Sequence, residues 1–366
     1  MTEATAKLFK TRTSRRSILK GLGVAAIGIS LSGKTSSAWA AEEEKKLNLY
    51  NWDTYIGETT LEDFKNASGI DVNMSLFATN DELFAKLRAG NPGFDVIVPG
   101  SEFVERMIQA NMLEPLDHAK IPNIKNVAPE FINDAPYDPG RKYSMPYTWL
   151  VIGIGYRKSK VKSTPDSWKV LFDSDEYKGR IAVMSDASEL FRNCFKYLGH
   201  SLNDKSPELL KQAEAMLIKQ KPNIKSFHED NGQDLLASGE VDVVMEYNGD
   251  IAQVMAEDDD LNFIVPKEGA MKQSDTLAIP KGAPHPENAL AFINFILDAK
   301  VGAEISETIK YPSPNAAAVA LMPASYKDNP VIFPPADLMA KCEYPNYLGP
   351  EYTRDLEEAM TRLRAA

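Results

Sequence analysis

From Leu47 to Ile108 the chain switches repeatedly between a period of two and a period near 3.6, and this alternation restricts the fold more than any other feature. Leu47 and Leu49 alternate with polar residues as far as Asn51. Leu61, Phe64 and Ala67 then recur at helical spacing and stop at Gly69, a residue suited to a helix C-terminus. Ile70, Val72, Met74 and Leu76 return to period two. Asn80 reads as the cap of a helix carrying Leu83, Phe84 and Leu87 and ending at Gly90. Asp95-Val96-Ile97-Val98 suits a parallel strand covered on both faces, and Ser101 reads as the cap of a helix with Val104, Met107 and Ile108 inward. This order predicts a doubly wound parallel sheet.

A second unit of the same kind follows. Residues 180–184 and 241–245 read as strands; 188–198, 209–218 and 249–257 read as helices. Between the units, residues 150–156 form an apolar segment with Gly153 and Gly155, suited to a strand crossing from one sheet to the other. Residues 276–279 read as the return crossing, and two crossings make a hinge. Residues 288–309 read as one helix, residues 311–350 hold eight prolines and are expected to wrap the surface, and 355–364 read as the last helix. The expected fold is α/β: two doubly wound lobes joined by crossover strands, with 44–150 plus 275–320 in one lobe and 155–270 plus 325–366 in the other.

The first forty residues read as an address. Ser14-Arg15-Arg16-Ser17-Ile18-Leu19-Lys20 precedes an uncharged stretch over 21–33 and then Ala38-Trp39-Ala40. A basic region, a short apolar region and a small-x-small site make an export signal, and the paired arginines resemble the twin-arginine type. Without these forty residues the chain has 34 basic and 51 acidic residues, a net charge of −17. Such a field favours capture of cations and disfavours nucleic acid. Two cysteines exclude a disulfide framework, and Cys194, among Phe191 and Phe195, reads as a buried free thiol rather than half of a bridge to Cys342. The four histidines, His118, His200, His228 and His285, stand alone and read as packing or surface residues; no metal or cofactor is expected.

In open α/β sheets, ligands bind beyond the carboxyl ends of strands where strand order reverses. In the first unit the flanking loops carry Trp52, Asp53 and Tyr55, and then Gly100 and Ser101. In the second they carry Asp186 and Glu189, and then Tyr247 and Asp250. Gln273 and Asp275 stand near the return crossing. Asp186 and Glu189 also fit a capping box, and Asp250 a first-turn helix acid. None of these loops carries an arginine, so an ammonium ligand is the natural counter-ion, with aromatic faces for its methylene carbons.

With these blocks in order, the chain resembles the periplasmic spermidine/putrescine-binding proteins of ABC importers. The likeness spans nearly all of 46–335 and rests on Leu49-Tyr50-Asn51-Trp52-x-x-Tyr55, Phe94-Asp95-Val96-Ile97-Val98-Pro99, Met145-Pro146-Tyr147-x-Trp149, Asp186-Ala187-x-Glu189, Pro266-Lys267-Glu268-Gly269, Ala278-Ile279-Pro280 and Tyr311-Pro312-x-Pro314-Asn315. The resemblance implies a monomeric two-lobe receptor that closes on a polyamine and delivers it to an inner-membrane permease. It implies that Trp52 and Tyr55 pack on the amine chain, that Asp186, Glu189, Asp250 and Asp275 meet its amino groups, and that Tyr311 is a site tyrosine. The chain departs from the pattern at Asp53-Thr54, where the acid comes one position early. It departs again at Tyr247 and Gln273, which replace larger aromatics, and at Gly100, which replaces Ser.

Two other readings remain open from sequence: a receptor of the same fold for another solute, such as another cationic amine or an amino acid, and an exported hydrolase. Against the hydrolase, the chain has no Gly-x-Ser-x-Gly and no His-Glu-x-x-His.

Overall fold

The computed structural model describes residues 43–366 apart from Asp134 and Asp230. The export-signal reading of residues 1–40 lies outside the described residues. Among the described residues nine strands pair in the order β2-β1-β3-β9-β4-β7-β5-β6, with β8 on β4. They are β1 (Lys46–Asn51), β2 (Asp71–Leu76), β3 (Val96–Ile97), β4 (Ser144–Arg157), β5 (Ile181–Met184), β6 (Ile224–His228), β7 (Val243–Tyr247), β8 (Leu261–Ile264) and β9 (Lys272–Ala278).

The pairs β1–β2, β1–β3, β5–β6 and β5–β7 are parallel, as the alternation predicts. The sheets are mixed only where the chain crosses between them. There β9 runs antiparallel to β3 and β4, and β4 antiparallel to β7 and β8.

Alternating side chains put the first sheet between two cores. Leu47, Leu49, Val96, Val98 and Leu277 join Phe292 and Ile293 on one face. Tyr50, Ile97 and Ala278 join Leu83, Val104 and Met107 on the other. A third core holds Ile181, Val183, Phe191, Phe195, Val243 and Met245. Strand β4 serves both halves: Met145, Tyr147 and Leu150 belong to the first, Ile152, Ile154 and Tyr156 to the second. This is the two-lobe α/β fold expected from sequence. Gly153 and Gly155 are required by close packing, since a Cβ on Gly153 would lie 2.4 Å from the Ile264 carbonyl oxygen and one on Gly155 2.7 Å from Ile251.

Several local expectations are corrected. β4 begins at Ser144, six residues before the sequence reading, because Pro146 masks the strand and sits at a register shift in its pairing with β9. The return crossing comes before residue 276, since Ala270 and Met271 still pack in the second core while Leu277 packs in the first. Residues 288–309 form two helices, Pro286–Ile296 and Ala299–Ile309, the second capped by Asp298. Thr79, not Asn80, caps the helix Asn80–Arg88, and Gly100, not Ser101, is the cap of Ser101–Gln109. The last helix starts earlier, as Pro350–Ala365. Strands β6 and β8 have no counterpart in the sequence reading. Cys194 and Cys342 are both free and buried.

Candidate functional site

A cavity of about 410 Å³ opens between the two halves, beyond the carboxyl ends of the parallel strands. Ten of the eleven residues singled out from sequence line it: Trp52, Asp53, Tyr55, Asp186, Glu189, Tyr247, Asp250, Gln273, Asp275 and Tyr311. Ser101 does not. As the first residue of its helix it is fully buried, and its hydroxyl has no hydrogen-bond partner.

Each wall is built from strand ends. The chain leaves β1 through Trp52, whose indole N–H donates to the Val98 carbonyl at 2.9 Å and whose ring sits 4.3 Å from Phe77. Asp53 is exposed, and one of its carboxylate oxygens accepts the N–H of Thr54, a residue at φ 48°. Tyr55 turns inward and is 7% exposed. Its hydroxyl donates to Asp275 at 2.8 Å, with the Thr148 hydroxyl 2.6 Å away. The Tyr55 ring stands edge-on to Tyr147 at 5.6 Å and to Tyr311 at 5.2 Å. Tyr311 in turn donates to Asp250 at 2.7 Å. Burial, then the neighbouring carboxylate, pushes both phenols well above their ordinary pKa, so they remain donors.

Across the cavity, Asp186 caps the helix Ala187–Tyr197 by accepting the Glu189 N–H at 2.9 Å. The capping reading and the cavity reading therefore both hold for this residue. Asp186 is open to cleft water yet surrounded by protein, and that loss of solvation raises its carboxyl. Glu189 accepts from the Tyr247 hydroxyl at 2.5 Å and from the Gln273 amide at 3.0 Å. Gln273 lies close to Gly100, where a Cβ would sit 3.3 Å from the Gln273 amide oxygen and 3.2 Å from the Asn80 amide nitrogen. Glycine at 100 thus leaves room for the carboxamides of Asn80 and Gln273.

Other lining residues were not legible from the loops. Glu102 and Arg106 lie one turn apart on Ser101–Gln109, so Arg106 brings a guanidinium to the cavity from outside the loops, which themselves carry none. Their position in the first two turns after a strand end was the available signal. Glu229 and Asp234 follow β6, so they escaped with that strand. Glu357 comes from the last helix, and no sequence pattern points to it. Burial raises the carboxyls of Glu102 and Glu357, with Arg192 opposing the shift at Glu102 and Asp186 adding to it at both.

The arrangement can hold a small cation: carboxylates from both halves meet over aromatic faces. Residues 59–334 match the profile of a family described as bacterial extracellular solute-binding protein. The putrescine-binding periplasmic protein SpuD of Pseudomonas aeruginosa is 33% identical over 362 residues, covering 94% of this chain and 98% of that protein. The spermidine/putrescine-binding periplasmic protein of Escherichia coli is 34% identical over 319 residues, covering 86% and 90%. Among solved structures, a putative spermidine/putrescine ABC transporter protein from Listeria monocytogenes superimposes with a TM-score of 0.83 at 32% identity, covering 88% of this chain and 99% of that one. The chain belongs to the bacterial extracellular solute-binding protein family.

Proposed function

We propose that this protein is a receptor that captures a polyamine in the cleft between its lobes and delivers it to an ABC importer, without chemically converting it. The observation that carries this reading is the pair of carboxylates, Asp275 and Asp250, each oriented by a buried tyrosine hydroxyl beside the cavity. An ionised carboxylate in such a place calls for a cation, and a primary ammonium supplies charge and donors together. The rings of Trp52, Tyr55 and Tyr311 cover the methylene carbons; Asp186 and Glu189 face the amine from the second lobe, with Asp53, Tyr247 and Gln273 completing the wall. The names of the relatives support the same ligand class.

The lobes are 44–150 plus 275–320 and 155–270 plus 325–366, hinged where β4 passes from one core to the other and where the chain returns before β9. The twin arginines support export by that route to the periplasm, where a monomer meets the permease. Calorimetric titration with putrescine, cadaverine, spermidine, spermine and agmatine tests the reading. Saturable one-to-one binding of at least one amine, recovered unchanged, is expected. Absence of heat from all five, or tight binding of an anion instead, would overturn it.

A further inference from the structure

Away from the crossings, the two halves also meet along one face of the helix Ser101–Gln109. The helix belongs to the first half, where Val104 and Met107 sit in the core. Glu102 and Glu105 are spaced i, i+3 and share a face, and both bond to the second half. One oxygen of Glu102 accepts from Nη2 of Arg192 at 3.1 Å, and the other accepts from the Ser188 hydroxyl at 3.3 Å. Glu105 accepts the backbone N–H of Tyr347 at 2.8 Å. Ser188 and Arg192 stand on the helix Ala187–Tyr197, whose Phe191 and Phe195 fill the second-half core. Tyr347 precedes the last helix, whose Tyr352 and Leu356 join the same core.

The second half holds these donors in place with its own bonds. The Asn203 side-chain oxygen accepts from Nη1 of Arg192 at 3.1 Å and from the Asn346 N–H at 2.8 Å, and its amide nitrogen donates to the Tyr344 carbonyl at 2.9 Å. The Asn346 carbonyl accepts from Nη2 of Arg192 at 3.0 Å. Lys196 pairs with Glu343 at 2.6 Å, at the start of the same segment. Arg192 is 1% exposed, so its guanidinium has no freedom to follow a departing partner. The two glutamates therefore meet a braced surface, and the contact breaks when the halves part. Glu102, Ser188 and Tyr347 also line the cavity, which makes the contact a stretch of its wall.

We propose that Glu102 and Glu105 are positioning residues that latch the two halves together and set how long a trapped ligand stays. A bond made only in the shut arrangement lowers the energy of that arrangement alone. Capture begins with the halves apart and does not draw on it, whereas release has to break it. The proposal rests on the polyamine reading above for its ligand and adds the control of release.

The test is stopped-flow tryptophan fluorescence with putrescine and with spermidine, paired with calorimetry, on the wild type, Glu105→Ala, Glu105→Gln and Glu102→Gln. Glu105 is not among the residues lining the cavity, so its loss removes no ligand contact, and alanine suits a helix. Glu105→Ala is expected to release the amine about tenfold faster, with capture within about twofold of the wild type and affinity weaker by the same tenfold. Glu105→Gln keeps an acceptor for the Tyr347 N–H and should recover most of the slow release. Glu102→Gln removes the charge facing Arg192 and should release about tenfold faster. Wild-type release from Glu105→Ala, or a loss of affinity carried by slower capture, overturns the latch and leaves the polyamine reading intact. A folded wild type that binds neither amine overturns both.

Discussion

The Tyr55 hydroxyl donates to Asp275 at 2.8 Å across 220 positions of sequence. It ties the loop after the first strand to the strand that returns from the second lobe. The contact fixes the direction of one carboxylate at the floor of the cleft. The phenol is buried beside the carboxyl group and holds its proton, so it orients Asp275 as a hydrogen-bond donor.

Asp275→Asn keeps an acceptor for Tyr55 and removes the charge. Charge-assisted hydrogen bonds contribute about 1.5–3 kcal/mol, so amine affinity should fall about ten- to a hundredfold. Denaturation midpoints should change little. Calorimetry on the variant checks the first statement and urea unfolding the second; unchanged affinity would remove Asp275 from the site.

Gly249 tests the Tyr311–Asp250 pair from behind. It is the second residue of the helix Asn248–Met255, where alanine would ordinarily stabilise by about 1 kcal/mol. Here a Cβ would lie 2.3 Å from the Tyr311 ring, and overpacking costs about 1–3 kcal/mol. Gly249→Ala should therefore lose stability despite better helix propensity, and should lose amine affinity as Tyr311 moves off Asp250. A variant with wild-type affinity would show that the Tyr311 position does not matter for binding.

The parts of the fold set by local periodicity were legible in the sequence. Leu47, Leu49, Val96 and Val98 reach one core because alternation is a property of the strand itself. The loops after such strands were legible too, which is why Trp52, Tyr55, Asp186 and Asp250 could be named. What stayed hidden depends on tertiary choice. Thr79 and Asn80 are both capping residue types, and Asn80, the stronger of the two, is drawn away because its side-chain oxygen accepts the Gly100 N–H at 3.0 Å. Glu102 is an ordinary helix-surface residue until the second lobe brings Arg192 and Ser188 against it. Ser101 shows the opposite failure: it sits in the right loop, but the helix begins one residue early for its side chain to reach the cavity.

Amine affinity should fall on acidification earlier than ordinary carboxylates predict. Loss of solvation raises the Asp186 carboxyl, so it takes up a proton at a pH above the usual aspartate value of about 3.9. A bound cation favours the ionised form. Binding in that window must therefore release protons, and the affinity must drop as pH falls through it. Titrations in two buffers of different ionisation enthalpy read the proton release directly. Asp186→Asn should abolish that part of it, and equal heats in both buffers for the wild type would refute the assignment.

His228 governs stability in acid through a contact beneath the cavity. It ends β6, is 3% exposed, and its Nε2 donates to the Met245 carbonyl at 2.9 Å. Burial lowers its pKa to about 4 against an ordinary value of 6.5, with the Met245 carbonyl opposing the shift. As pH falls from 6.5, the unfolded chain binds a proton that the folded chain refuses until about 4. Stability from this residue is complete above 6.5 and is lost on the way down, by about 2 kcal/mol at a pH near 5. His228→Asn cannot titrate. It should start less stable at neutral pH, because the imidazole packing is lost, yet show a shallower decline between pH of about 7 and 5 in urea unfolding. The difference in slope isolates His228 from the carboxylates, which titrate in both proteins. Parallel declines would mean that the imidazole accepts its proton equally well in the folded state, and so is not sealed from water as its position under Met245 requires.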